Sequence, residues 1–152
     1  MQMDLSRHIA ADPDVVWDVL TDIPGAPRTL SGVISVEILT NKPYEPGLRW
    51  RETRKMFGIK ATEEMMVVES EPPGATRIVA ENGGTEYTTI FTITPDATGS
   101  TLRMRFSAET AHAPAASRVL MALMGGLAER STRKSMEQDL ADIATEAERR
   151  SA

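Results

Sequence analysis

The segment that most constrains this chain is Leu5-Ser-Arg-His-Ile-Ala-Ala-Asp-Pro-Asp-Val-Val-Trp-Asp-Val-Leu-Thr-Asp22, a short strand that turns at once into a short amphipathic helix. Asp12 is placed to cap the helix, and Pro13 fits its first position, where no N–H is needed. Val15, Val16, Leu20 and Ile23, with Trp17 beside them, form an apolar stripe at helical spacing. Thr21-Asp22-Ile23-Pro24-Gly25 stops it.

The rest of the chain supplies a sheet. Pro24 to Leu30 reads as a turn or second short helix, and Val33 to Leu39 alternates as a strand. Strands follow over Leu48–Phe57, Ile59–Glu69, Thr76–Glu81, Glu86–Thr94 and Thr101–Thr110, each bounded by a turn signal; Asn82-Gly83-Gly84 is the strongest hairpin turn. Short links between successive strands require an antiparallel meander. From Ala115 to Arg149 there is no proline, and Val119, Leu120, Leu123, Met124, Leu127, Met136, Leu140, Ile143 and Ala147 form the stripe of a long helix. Gly125-Gly126 marks either a kink in that helix or a break after Met124. The expectation is an α+β fold: a curved antiparallel sheet of about seven strands wrapped round a long C-terminal helix, with two short helices after the first strand. A sheet curling round one helix does not close along its whole length, so a cavity between them is expected.

Composition narrows the function. At 152 residues the chain suits a single domain, 1–152, able to bury roughly 68–70% of its unfolded surface. A net charge of −5 argues against general nucleic-acid binding, which needs a cationic surface. There is no cysteine, so disulfides, thiolate nucleophiles and cysteine zinc sites are excluded, and a cytoplasmic setting is expected. The N-terminus lacks a signal-peptide pattern, and the apolar stretch Val119–Leu127 is too short for membrane insertion. With only His8 and His112, and no carboxylate spacing to support them, neither a metal nor another cofactor is expected. A homodimer is left open.

Ile9-Ala10-Ala11, Val16-Trp17, Leu20 and Asp22, then Gly47-Leu48-Arg49-Trp50 opening the third strand, then the long helix running to Leu140-Ala-Asp-Ile, resemble the START-like, or Bet v 1-like (SRPBCC), helix-grip superfamily, in particular its bacterial polyketide cyclase/dehydrase and lipid transport type. The likeness in element order covers nearly the whole chain. It implies a hydrophobic or amphipathic small molecule held between sheet and long helix; some members are cyclases or aromatases, some carriers, some assembly factors. Many members have a bulky aromatic where the second short helix ends. This chain has Pro27-Arg28-Thr29-Leu30 there, which implies a different pocket mouth.

Strand alternation nominates the site, because residues two apart share a face. On Leu48–Phe57, Trp50, Glu52, Arg54 and Met56 read inward; the two charges then either pair with each other or anchor a polar part of a ligand. On Glu86–Thr94, Tyr87 and Phe91 read inward, Tyr87 as a packing residue, a hydroxyl for a ligand, or, with a lowered pKa, a general acid. On Thr101–Thr110, Met104 and Phe106 read inward, and Arg103 and Arg105 outward. Ile59–Glu69 stays undecided, because Glu63-Met65-Val67 and Glu64-Met66-Val68 are equally good inner sets. His8 reads outward and His112 falls in the loop before the long helix. The candidate ligand-binding set is Trp50, Glu52, Arg54, Met56, Tyr87, Phe91, Met104, Phe106, Leu123 and Leu127, with no catalytic residue assigned. Three functions remain in play: binding of a lipid-like or polyketide-like ligand, a polyketide cyclase, aromatase or dehydratase acting in the same cavity, and a non-catalytic interaction module.

Overall fold

A computed structural model describes residues 1–56, 58–109 and 115–152, with side chains given for all of these except Met56 and 115–128. Strand β1 (Gln2–Ile9) leads into α1 (Pro13–Thr21) and the single turn α2 (Ala26–Thr29). Six strands follow: β2 (Val33–Ile38), β3 (Arg49–Met56), β4 (Ile59–Glu71), β5 (Ala75–Asn82), β6 (Thr85–Asp96) and β7 (Gly99–Glu109). Helix α3 (Ala115–Ser151) closes the chain. It is helical through Gly125 and Gly126, so of the two alternatives there the break after Met124 is not found.

All seven strands form one sheet in the order β1-β7-β6-β5-β4-β3-β2, every neighbouring pair antiparallel. Only the β1–β7 pairing is non-local: Leu5 lies opposite Met104 and Ile9 opposite Ser100. It brings the N-terminus beside the last strand, so α1 and α3 lie on the same face. Gly83 (φ 60°) and Gly84 (φ 82°) form the β5–β6 turn, with both central residues in the left-handed region that a two-residue hairpin loop of this hand requires. This is the helix-grip arrangement that the resemblance implies.

The core lies between the concave face of the sheet and the helices. Ile9, Val16, Val67 and Leu102 are fully buried, and from α3 Met136, Leu140, Ile143 and Ala147 close over them. Fully burying side chains of this size stabilises by roughly 1.5–3 kcal/mol each. In α1 the buried residues are Val16, Trp17 and Val19. Val15 and Leu20, expected in the stripe, are only partly buried against that core. Asp12 occupies the cap position of α1, but its side chain makes no cap hydrogen bond. Its main-chain carbonyl instead accepts from the Val15 and Val16 N–H groups. The carboxylate is exposed and stays in water.

Behind Trp17 lies a second polar arrangement. The Tyr44 ring meets Trp17 edge-on, with centroids 5.9 Å apart. Thr76 donates its hydroxyl to the Glu69 carbonyl at 2.8 Å, so its oxygen is left to accept from the Tyr44 hydroxyl, also at 2.8 Å. Burial pushes the Tyr44 pKa up to about 12.

Candidate functional site: a cavity between sheet and helix

Between the sheet and α3 lies a partly open cavity of about 800 Å³. Its wall follows from register. Trp50, Glu52 and Arg54 alternate along the inner face of β3, and opposite them on β4 stand Met65, Glu63 and Ala61. The row through Trp50 and Met65 continues across the sheet to Ala80, Tyr87 and Ala108. Next to it, Thr89 faces Phe106 and Phe91 faces Met104. These rows, with Met136 and Ile143 of α3 and Leu20, Ile23 and Leu30 of the α1–α2 region, make the apolar part of the cavity.

Towards the Gly58 and Gly83–Gly84 turns the wall becomes polar: Glu52, Glu63, Asn82 and Thr85 in one row, Arg54 beyond it, and Ser135 and Asp139 from α3 above. Arg54 is the hub. Its Nε donates to Glu52 Oε2 at 3.3 Å and its Nη1 to Asp139 Oδ1 at 3.0 Å, with Ser135 Oγ at 3.4 Å. The Glu52, Arg54 and Asp139 side chains are 15%, 16% and 12% exposed, so this is a largely buried cluster in which one guanidinium serves two carboxylates. Burial opposes the Arg54 charge, but Asp139 and Glu52 outweigh it and its pKa lies above the ordinary arginine value. Burial also raises the Asp139 pKa; Arg54 pulls it down, but not back to the usual carboxylate value.

Tyr87 lines the cavity and stacks on Phe106, with centroids 5.9 Å apart and planes 26° from parallel. Burial, then the nearby Glu63 charge, raises its pKa, while a hydrogen bond with Thr85 works the other way. Tyr87 therefore keeps its proton at neutral pH as a hydrogen-bond donor, and the lowered pKa that a general acid would need is not found.

Seven of the ten nominated residues thus line the cavity: Trp50, Glu52, Arg54, Tyr87, Phe91, Met104 and Phe106. The other three, Met56, Leu123 and Leu127, lie outside the described side chains, as His112 lies outside the described residues. His8 faces outward and bonds Asp96 at 2.9 Å, and Arg103 pairs with Asp4 on the convex face. On β4 the inner set is Glu63, Met65 and Val67; Glu64 points out to Arg49 and Arg51. Asp139 was not among the nominated residues. Its signal is nevertheless in the sequence: it falls three residues after Met136 and four before Ile143, a charge inside the apolar stripe. Among the described residues no three potential metal ligands converge, and no helix is long and apolar enough to cross a membrane.

A curved seven-stranded sheet gripping a long helix, with an internal cavity apolar along most of its wall and charged at one end, defines a helix-grip protein. The chain belongs to the polyketide cyclase/dehydrase and lipid transport family, whose model matches residues 1–148. Among solved structures it is similar to TTHA0849 from Thermus thermophilus (TM-score 0.83, 18% identity, all of both chains covered). It is also similar to the Zhui aromatase/cyclase from a Streptomyces species (TM-score 0.77, 18% identity, 100% of this chain and 96% of that one). A third similar structure is Ara h 8.0201 (TM-score 0.73, 10% identity, 97% of each chain). At these identities the likeness is one of fold. No curated protein is significantly similar in sequence.

Proposed function

We propose that the chain, acting as one domain, binds a small hydrophobic or amphipathic molecule in the cavity between sheet and α3. The observation that carries this reading is the cavity itself. At about 800 Å³ it falls within the range of small-molecule sites, and it pairs an apolar wall with a few convergent polar groups. Trp50, Phe91, Met104 and Phe106 form the apolar wall. Glu52, Arg54 and Tyr87 are the polar anchors. Native mass spectrometry of protein purified from its own host tests this, with titration of an apolar fluorescent probe as a second arm. A co-purifying small molecule, or saturable one-to-one binding that an apolar competitor reverses, is the expected result. Protein that carries nothing and binds no probe would sink the proposal.

One observation favours an enzymatic reading of the same cavity. Tyr87 presents its hydroxyl beside the apolar wall, where it can polarise a ketone during cyclisation by donating a hydrogen bond; its raised pKa suits that role and not full proton transfer. The family description and the likeness to an aromatase/cyclase support that reading. Incubation with a short poly-β-ketone and product analysis tests it. Tyr87→Phe should then lower kcat with little change in KM, and equal turnover in the two proteins would remove Tyr87 from the chemistry.

A further inference from the structure

We infer that β2 is the docking edge for a second copy of this chain, and that two molecules join their sheets there about a two-fold axis through Val36. The sheet has two free edges, β1 and β2, and they are finished differently. The exposed side chains of β1 are Gln2, Asp4, Ser6, Arg7 and His8, all polar, and charged residues of this kind keep a free edge from pairing with another chain. Strand β2, Val33-Ile-Ser-Val-Glu-Ile38, has no lysine or proline, and its one charge, Glu37, accepts from Arg51 Nη1 at 2.7 Å.

Among the described residues the exposed large apolar side chains are Met1, Ile34, Ile38 and Ile59. Met1 and Ile59 line the cavity, whereas Ile34 and Ile38, 44% and 41% exposed, stand apart from it on β2. The main chain there is set for pairing. The Leu39 N–H donates to the Arg49 carbonyl, so Ser35, Glu37 and Leu39 turn their main-chain groups towards β3, and Val36 and Ile38 turn theirs to the free edge. The bulge between Val33 and Ser35 leaves Ile34 without a partner on β3, and from Ser35 to Ile38 the strand is regular.

The occupant follows from how this strand matches itself. An antiparallel β2 centred on Val36 sets Val36 against the partner's Val36, Ile34 against the partner's Ile38, and Ser35 against the partner's Glu37. Both exposed isoleucines are then covered in each copy, and each serine hydroxyl can donate to a carboxylate. Moving the centre one residue, to Glu37, brings two like charges face to face, which destabilises a pair of strands. The strand therefore favours its own copy in one register, with apolar contacts on one face and complementary polar ones on the other.

Sedimentation velocity from about 1 μM to about 1 mM protein tests this, a span that covers the weak association of a small interface. Wild type should pass from one copy to two as concentration rises. Ile34→Lys and Ile38→Lys, with native circular dichroism as the folding control, should each weaken the dimer about tenfold, because each removes two symmetric contacts. The chain has no cysteine, so cross-linking can read the register. A hydrogen-bonded antiparallel pair sets its Cα atoms about 5.5 Å apart, within disulfide reach. Under mild oxidation Val36→Cys should give a covalent dimer, and Thr40→Cys should not. Wild type that stays a single copy throughout overturns the inference. So does a dimer that survives both lysine variants, one that Ile59→Lys weakens as much, or equal cross-linking of the two cysteine variants.

Discussion

Arg54 shows how much one side chain can be asked to hold. It satisfies Glu52 on its own strand and Asp139 on a helix far away in sequence. Removing one member of such a buried group strands the others, at a cost of about 3–5 kcal/mol. Arg54→Met should therefore be strongly destabilising in urea melts. The penalty should be smaller at pH 4 than at pH 7: without the guanidinium, burial holds the folded pKa of the stranded Asp139 carboxyl above the unfolded value. The folded state then binds protons the unfolded state has released, and stability falls as pH rises through that interval. The triple replacement Arg54→Met, Glu52→Leu, Asp139→Leu should recover most of the loss, since a well-packed apolar cluster is a close energetic match for a buried ion group. Gly99 makes a second residue-scale prediction. Its φ is +146°, and a Cβ there would lie 2.8 Å from the Ala11 main-chain nitrogen and closer still to the Ile9 carbonyl. Gly99→Ala should cost more than the roughly 1–3 kcal/mol of backbone strain alone, because neither clash partner is a movable side chain. At this scale the sequence was informative wherever alternation ran unbroken: Trp50, Glu52 and Arg54 were legible because their neighbours Arg49, Arg51 and Lys55 are all charged. Asp139 escaped because reading a helical stripe from its apolar members passes over a charge that belongs to it.

Among the elements, β4 and α3 define the limits of local pattern. Glu63-Glu64 begins two inner sets of equal quality, and nothing within the strand separates them. What separates them is the pairing of Glu63 with Glu52 and of Met65 with Trp50, a long-range fact that sequence periodicity does not contain. The bulge between Val67 and Glu69 then swaps the faces, so no single alternation describes the whole strand. Strand ends were also longer than the turn signals implied: β6 runs through Pro95 to Asp96, and β4 reaches Glu71. Helix α3 is pinned over its last three turns and more. Asp139 meets Arg54, and Asp142 accepts from both the N–H and the hydroxyl of Ser31 beyond α2. Near its end, Glu146 takes hydrogen bonds from Arg149 and Arg150, which hold its pKa down to about 2. A depressed carboxylate pKa stabilises the fold above pH 4.5, the ordinary glutamate value, and that contribution is lost as pH falls towards 2. Denaturant melts between pH 2 and 6 should show wild type losing its advantage over Glu146→Gln across that window; a constant difference would mean the arginines do not act on the folded state.

For the molecule as a whole, the cavity is the feature that stability alone does not explain. Interiors pack to near-crystalline density, and about 800 Å³ left open means many wall side chains forgo contacts on one side. Ala80 sits in the middle of that wall, between Met65 and Tyr87 in the ladder. Ala80→Phe should grow into the opening, hold or raise the melting temperature, and weaken a twelve-carbon ligand by about tenfold, or 1.4 kcal/mol. Unchanged affinity in a folded variant would place the ligand elsewhere.

The Glu52–Arg54–Asp139 cluster has one more consequence. The three side chains that tie α3 to β3 are also the ones that border the cavity, so the attachment of the helix and the occupancy of the cavity share a free energy. A compound that settles against them stabilises the folded chain by RT ln(1 + [L]/Kd), about 2.7 kcal/mol at a hundredfold excess over Kd. In a chain of this length that is a melting shift of several degrees. Thermal melts across a panel of metabolites can therefore rank ligands before any activity is known, and Arg54→Met, which removes the polar tie between helix and wall, is the variant in which that ranking should flatten for ligands that touch the cluster.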